Sequence, residues 1–269
     1  MNPSGNSGST QRTSRRSLAM YALPILLSGL FAWSVVAGEG HKHADDFVIG
    51  VSGSGQLKFE SEPVEEDEIF SLAEVSGIIN GWAGDEPGFM PLQKDEPKED
   101  FFPMAIGAEI QLVVVSLDLA FKAHTPGFAD VLDSPGDAWT IATVTNDPPE
   151  FDDHPTWHID SDDVSLADNQ VIWSATFKFV DVGTTGYTES EPFTLRFSNA
   201  DIENCVPGDV NLDGRHNRAD ACDFIQAVEA PSSMTPDQKC AADADGDGFV
   251  TEADAVRFYK PLAKPICNG

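Results

Sequence analysis

Two short stretches near the end of the chain repeat one spacing of acidic and glycine residues, and this repeat constrains the fold more than any other feature. The first is D-V-N-L-D-G-R-H-N-R-A-D, residues 209–220, and the second is D-A-D-G-D-G-F-V-T-E-A-D, residues 243–254. Each has oxygen-bearing side chains at loop positions 1, 3 and 5, a glycine at position 6 and an aspartate at position 12. Ca²⁺ binds about six to eight oxygens, so this spacing predicts a calcium site in each stretch.

The predicted ligands follow from the loop positions. Position 7 contributes a backbone carbonyl, position 9 acts through water, and Gly214 or Gly248 permits the sharp central turn. Without a cation the clustered carboxylates would repel one another, which disfavours the alternative of two acidic turns without metal. The predicted cofactor is Ca²⁺ at two sites, with the ligands Asp209, Asn211, Asp213, Arg215, Asn217 and Asp220 in the first loop and Asp243, Asp245, Asp247, Phe249, Thr251 and Asp254 in the second.

Each loop leads into a segment with helical spacing that carries Phe224 or Phe258 at the same offset. With G-D-V-N-L-D-G (208–214) and A-D-A-D-G-D-G (242–248), residues 208–262 resemble a type I dockerin. The resemblance implies two calcium loops, each followed by a helix. It also implies Ca²⁺-dependent docking onto cohesin domains, often within extracellular assemblies of polysaccharide-degrading enzymes.

The chain departs from the dockerin pattern at three loop positions. His216 stands at position 8, where the family has a branched apolar residue, and positions 10 and 11 are Arg218-Ala219 and Glu252-Ala253 instead of the common Ser-Thr. The two halves therefore differ in charge at the positions that select a cohesin. The resemblance implies calcium binding and leaves the partner open between a cohesin-like domain and another extracellular protein.

Upstream, from about residue 47 to residue 198, apolar residues alternate with polar ones. This period of two predicts half-buried antiparallel strands. We predict strands at residues 47–51, 56–59, 110–121, 139–145, 171–179 and 193–198, with a bulge or break near Ser116 where the apolar parity changes. The predicted fold class is a mainly β N-terminal domain, like a β-sandwich or jelly roll, followed by a small α-helical dockerin-like module.

The N-terminal residues have the layout of a secretory signal peptide. Arg12, Arg15 and Arg16 precede an uncharged apolar run at residues 18–36, and small residues follow. An uncleaved anchor is the alternative, and either reading places the rest outside the cytoplasm. We therefore predict a signal peptide at 1–37, a β-sandwich domain at 38–202 and the dockerin-like module at 203–269, in a secreted or cell-surface protein.

The chain is strongly acidic, with 45 Asp and Glu against 16 Lys and Arg and a formal net charge of -29. Nucleic acids and anionic membranes are polyanions that attract basic patches. We therefore expect no nucleic-acid partner, and no membrane partner once the leader is cleaved.

All four cysteines lie in the predicted module. Clustered cysteines in an exported protein predict two disulfides, because a module this small needs reinforcement beyond its core. We predict Cys205 with Cys267 and Cys222 with Cys240. The sequence leaves the other two connectivities open.

Histidines offer a second kind of metal site. On a strand, His41 and His43 would share a face about 6 to 7 Å apart and could bind one transition metal. His154 and His158 would lie about 13 Å apart if extended, so a three-histidine site requires His124 or His158 to arrive through the fold. The alternative places all of these residues in loops or a frayed end.

Tryptophans could stack on sugars. Trp139 and Trp173 fit an alternating core face, whereas Trp82 and Trp157 lie in loop-like sequence and are the better candidates. No nucleophile elbow, phosphate loop or H-E-x-x-H motif occurs in the sequence. The sequence therefore favours a non-catalytic secreted docking protein in a polysaccharide-related context. A dockerin-bearing polysaccharide hydrolase or lyase, a carbohydrate-binding protein and a transition-metal-binding surface protein are the alternatives.

Overall fold

The structure, a computed structural model, describes residues 46–60 and 68–262. The predicted signal peptide, His41, His43 and Cys267 lie outside these ranges. In them the strands are β1 (Phe47–Val51), β2 (Leu57–Glu60), β3 (Ile69–Ser71), β4 (Ala73–Val75), β5 (Gly81–Gly84), β6 (Phe89–Pro91), β7 (Glu109–Leu117), β8 (Phe121–His124), β9 (Val131–Leu132), β10 (Ala138–Thr143), β11 (Thr156–Asp160), β12 (Ile172–Asp181) and β13 (Phe193–Ser198).

The strands form sheets in a sandwich-like arrangement. One sheet has the order β10-β7-β12-β13-β3, a second has the order β4-β5-β11-β8-β9, and a smaller one has the order β2-β1-β6. Most neighbouring strands are antiparallel, with parallel pairs between β1 and β6 and between β13 and β3. The predicted mainly β fold class is confirmed.

Alternation along the central strands builds the core. Trp173, Ala175, Phe177 and Phe179 of β12 are all buried, and Leu195 and Phe197 of β13 continue the same core. β12 pairs with β7 across an irregularity, because Thr176 faces Ser116 while Phe177 faces Val114. The bulge predicted near Ser116 is confirmed.

The C-terminal residues fold into short helices around the two loops. These are α1 (Asp220–Glu229), α2 (Pro236–Ala242) and α3 (Ala255–Tyr259). Thr235 begins α2 with a capping box, because its hydroxyl accepts from the Gln238 amide while the Gln238 side chain accepts from the Thr235 amide. In the described ranges no helix is long and apolar enough to cross a membrane.

Candidate calcium-binding site

The first loop is closed by its first and last aspartates. Asp209 accepts hydrogen bonds from the backbone amides of Asp213 at 2.9 Å and Gly214 at 2.7 Å. Asp220 accepts from the amides of Asn211 at 3.0 Å and Asn217 at 2.7 Å. Both carboxylates are buried at the centre of the loop. Buried carboxylates held by backbone amides are preorganised as acceptors.

The second loop repeats this pattern position by position. Asp243 accepts from the amides of Asp247 at 3.1 Å and Gly248 at 2.9 Å. Asp254 accepts from Asp245 at 3.1 Å and Thr251 at 2.8 Å. Side-chain oxygens of Asp243, Asp245 and Asp247 lie within 4.8 Å of one another. The structure thus brings together the predicted side-chain ligands at positions 1, 3 and 5.

Electrostatic strain accompanies this clustering in the second loop. Burial, together with the charges of Asp254 and Asp247, raises the pKa of Asp243 to about 6, although amide hydrogen bonds from Gly248 and Gly246 oppose the shift. Burial and the charges of Asp245 and Asp247 also raise the pKa of Asp254. A divalent cation among these oxygens would remove the repulsion, and an all-oxygen donor set suits Ca²⁺.

Backbone conformation at position 4 is a feature that sequence reasoning missed. Leu212 and Gly246 both have positive φ, 58° and 76°, one position beyond the aspartate or asparagine at position 3. Position 6, as predicted, also has positive φ in both loops, 86° at Gly214 and 91° at Gly248. In the second loop the glycine at position 246 is a sequence signal for positive φ. In the first loop Leu212 gives no such signal.

The helices behind the loops share a small core. The rings of Phe224 in α1 and Phe258 in α3 stack at 4.0 Å between centroids. His216, at position 8 of the first loop, packs on Phe258 with centroids 4.9 Å apart. Val250 occupies the matching position of the second loop and is buried. His216 therefore fills an apolar position with its ring.

The disulfide prediction was wrong in its pairing. Cys205 is bonded to Cys240, and their Cα atoms are 6.2 Å apart. This bond excludes both predicted pairings, Cys205 with Cys267 and Cys222 with Cys240. Cys222 is also in a disulfide. The observed bond ties the entry of the module to α2, directly before the second loop, so the module's start and its second half are held together.

The second loop also lies against the sandwich. The carbonyl of Gly248 accepts from the amides of Val171 at 2.8 Å and Ile172 at 3.3 Å, at the start of β12. The amide of Val250 donates to the carbonyl of Asn169 at 2.8 Å, and the Asn169 side chain donates back to Val250 at 3.2 Å. Val171 and Ile172 belong to the same buried cluster as Phe224 and Phe258. The module's core is thus continuous with the sandwich at the start of β12.

The tryptophan predictions need correction. Trp157 lies in β11, not in a loop, and is completely buried, with its indole N–H donating to the carbonyl of Pro87 at 3.0 Å. It is therefore unavailable to a sugar. Trp82 also lies on a strand, β5, and is half-buried against the core. Trp173 is buried as expected, and Trp139 is half-buried.

The described histidines of the sandwich separate into two groups. His124 of β8 and His158 of β11 lie side by side, with Nε2 and Nδ1 3.1 Å apart. His154 lies instead beside Asp46 and Glu86. Asp46 and Glu86 were missed because they belong to distant segments and carry no recognisable spacing.

The fold and loops define a class: a β-sandwich carrying a helical module built on two matched acidic loops. Residues 207–262 match the family model described as the dockerin type I domain, which confirms the resemblance. A comparison with curated proteins and one with solved structures each gave no match. Dockerin type I domains in general bind Ca²⁺ and cohesin domains and are typical of extracellular or cell-surface assemblies.

Proposed function

We propose that this chain is a secreted, non-catalytic protein whose C-terminal module binds two Ca²⁺ ions and then docks onto a cohesin-like domain of an extracellular partner. The observation that carries the proposal is the equivalence of the two loops. In each, the aspartate at position 1 accepts from the amides of positions 5 and 6, and the aspartate at position 12 accepts from those of positions 3 and 9.

The docking surface would lie on the exposed faces of α1 and α3 and the residues before them. Arg218 and Ala219 are exposed in the first half, and Glu252 and Ala253 in the second. Their opposite charges make the two halves unequal, so we expect one preferred orientation of the partner. The second loop is also in contact with the start of β12, because the Gly248 carbonyl accepts from the amides of Val171 and Ile172.

Calcium binding is testable by isothermal titration of the full chain after chelator treatment. The wild-type protein should bind two Ca²⁺ per chain, and D209A and D243A should each remove one site, because each loses the position-1 carboxylate. D223A changes an aspartate of α1 outside the loops and should leave both sites intact. Unchanged binding in D209A and D243A would contradict the assignment.

Docking has its own test, since calcium binding and partner choice are separate properties. A purified type I cohesin domain should bind the Ca²⁺-loaded chain and dissociate on chelation. An R218E and E252R double variant, which exchanges the charges of the two halves, should change the affinity without changing the calcium stoichiometry. A calcium-loaded chain that binds no cohesin would refute this partner and leave the calcium sites standing.

The polysaccharide-related context rests on the kind of assembly in which dockerins occur. With Trp157 in the core, Trp82 is the one of the two favoured tryptophans that is still partly accessible to a carbohydrate. Affinity electrophoresis in gels that contain soluble polysaccharides tests this alternative directly. If polysaccharide retards the wild type and W82A abolishes the retardation, carbohydrate binding is favoured. If the wild type migrates equally with and without polysaccharide in the gel, binding is excluded for the glycans tested.

A further inference from the structure

A buried carboxylate at the start of the sandwich has an oxygen that accepts no hydrogen bond from the described residues. The side chain of Asp46 has 0% exposure. Its Oδ1 accepts from the amide of Gly88 at 2.9 Å. Within the part of the chain that the structure describes, no group hydrogen-bonds to Oδ2, which is buried. A buried carboxylate oxygen is costly unless it is paired or coordinates a metal.

Two further side chains of types that can bind metals lie near Asp46. One ligand atom each from Asp46, Glu86 and His154 lie within 4.8 Å of one another. Nε2 of His154 is 3.9 Å from Asp46 Oδ1, and Nδ1 is 3.7 Å from Glu86 Oε2. The half-exposed carboxylate of Asp152 lies 3.0 Å from Nε2 at the rim.

Backbone pairing holds these segments in place. The amide of Phe47 donates to the carbonyl of Gly88 at 3.0 Å, joining the strand that follows Asp46 to the one that follows Glu86. Phe89 and Asp153 exchange two backbone hydrogen bonds, at 2.9 and 3.1 Å, which fixes the neighbouring His154. The three side chains therefore converge from sequence-distant segments of one rigid framework.

His154 is oriented as metal-binding histidines are. Its Nδ1 lies 2.9 Å from the carbonyl of Asp85, which can only accept, so an Nδ1–H donates to that oxygen. The nitrogen that would bind a metal is then Nε2, which in this structure lies 3.0 Å from the Asp152 carboxylate. Gly88 makes room for the ring, since a Cβ there would lie 2.3 to 2.6 Å from the imidazole atoms. Any larger residue at position 88 would displace the imidazole.

We propose that Asp46, Glu86 and His154 form a binding site for a divalent transition-metal ion of the Zn²⁺ type, separate from the calcium loops. One imidazole nitrogen with carboxylate oxygens suits such an ion better than Ca²⁺, which favours oxygen alone. Two ligands of a tetrahedral Zn²⁺ lie about 3.3 Å apart at its usual bond lengths. The distance of 3.9 Å between His154 Nε2 and Asp46 Oδ1 needs little adjustment to reach that spacing.

The competing arrangement is an ion-pair cluster in which a protonated His154 balances the carboxylates without metal. Burial opposes that charge, but the hydrogen bonds to Asp85 and Asp152 and the charges of Asp46 and Glu86 together raise the pKa of His154. A proton and a metal would compete for Nε2. Binding is therefore best measured at about pH 8, above the ordinary histidine range.

The test uses the full chain, stripped of metal and supplied with excess Ca²⁺ to fill the loops. Titration with Zn²⁺ should give one site per chain and raise the melting temperature, because an ion that binds only the folded state stabilises it. D46N and H154N should each weaken the affinity by more than about 10-fold, the lower end of what losing even a supporting residue costs a metal site. Co²⁺ should give a visible absorption band that H154N abolishes.

Two control variants and one further ligand variant complete the design. H124N removes another half-buried histidine of the sandwich and should leave Zn²⁺ binding unchanged, as should the H41A/H43A double variant. E86Q keeps the shape of its side chain and serves if D46N does not fold. The proposal is overturned if the wild type binds no Zn²⁺ in excess Ca²⁺. It is also overturned if E86Q and H154N bind as tightly as the wild type, or if only H41A/H43A removes binding.

Discussion

Leu212 and Gly246 occupy the same position in the two loops and share a left-handed backbone conformation. For a residue with a Cβ, this conformation costs roughly 1–2 kcal/mol, whereas glycine adopts it freely. Leu212 is about half exposed, so burial of its side chain compensates little for the cost. The first loop therefore contains strain that the second avoids.

Exchanging these residues tests that difference. L212G should stabilise the module by about 1 kcal/mol. G246L should destabilise it by about as much, because leucine with a positive φ at position 246 has the same conformational cost. Nothing lies within 4 Å of the Cβ position at residue 246, so the second variant introduces no clash at that atom. Chemical denaturation of each variant with Ca²⁺ present measures both changes. Equal effects of the same sign would contradict the explanation.

Whether a site residue could be predicted depended on whether its partners lie close to it in the sequence. The predicted ligands at positions 1, 3, 5 and 12 follow from local spacing, because one loop of the chain supplies them all. The cluster of Asp46, Glu86 and His154 could not be predicted, since its members meet only when β1, β6 and the segment before β11 are paired. The disulfide pairing was undetermined for the same reason, as four cysteines allow three equivalent arrangements.

At the scale of elements, alternation predicted the long central strands well. β12 and β13 bury every second residue, which leaves a plain signal in the sequence. β11 was missed because Trp157, His158 and Ile159 are all buried, so its five residues show no alternation. A strand covered on both sides loses the period of two that reveals a half-exposed one.

The contact between β8 and β11 makes a prediction about acid stability. His158 Nε2 lies 2.9 Å from the carbonyl of Asn80 and donates to it, so Nδ1 accepts from Nε2–H of His124 at 3.1 Å when both rings are neutral. Burial, followed by the charges of His158 and Lys122, lowers the pKa of His124 below its ordinary value of 6.5. Below that value the unfolded chain binds more protons, so stability contributed by neutral His124 is lost as the pH falls towards the folded-state pKa.

The variant H124N isolates this effect from the other titrating groups. The free energy of unfolding of the wild type, minus that of H124N, should fall between about pH 7 and pH 5. Excess Ca²⁺ in both samples keeps the titration of Asp243 out of the comparison. A difference that stays constant or rises over this range would show that His124 is not held neutral.

At the scale of the whole molecule, the described residues, 46–60 and 68–262, belong to one compact unit. The boundary that we predict between residues 202 and 203 follows a change in sequence pattern, and it stays a prediction. Buried side chains on the two sides of this boundary pack together. Val171, Ile172 and Ala200 lie in the same buried cluster as the module's Val250 and Phe258. Calcium binding in the second loop should therefore also stabilise the sandwich.

Tryptophan fluorescence can detect this coupling, since residues 203–269 contain no tryptophan. With Ca²⁺ present, D243A should lower the fluorescence-monitored melting temperature more than D209A does, because the Gly248 carbonyl that binds Val171 and Ile172 lies in the second loop. Loss of about 1 kcal/mol corresponds to roughly 2–4 °C in a unit of this size. Both variants lose one position-1 aspartate, so the first is a matched control for the second. Equal shifts, or a fluorescence transition that chelation leaves unchanged, would mean that the second loop lies against β12 without stabilising it.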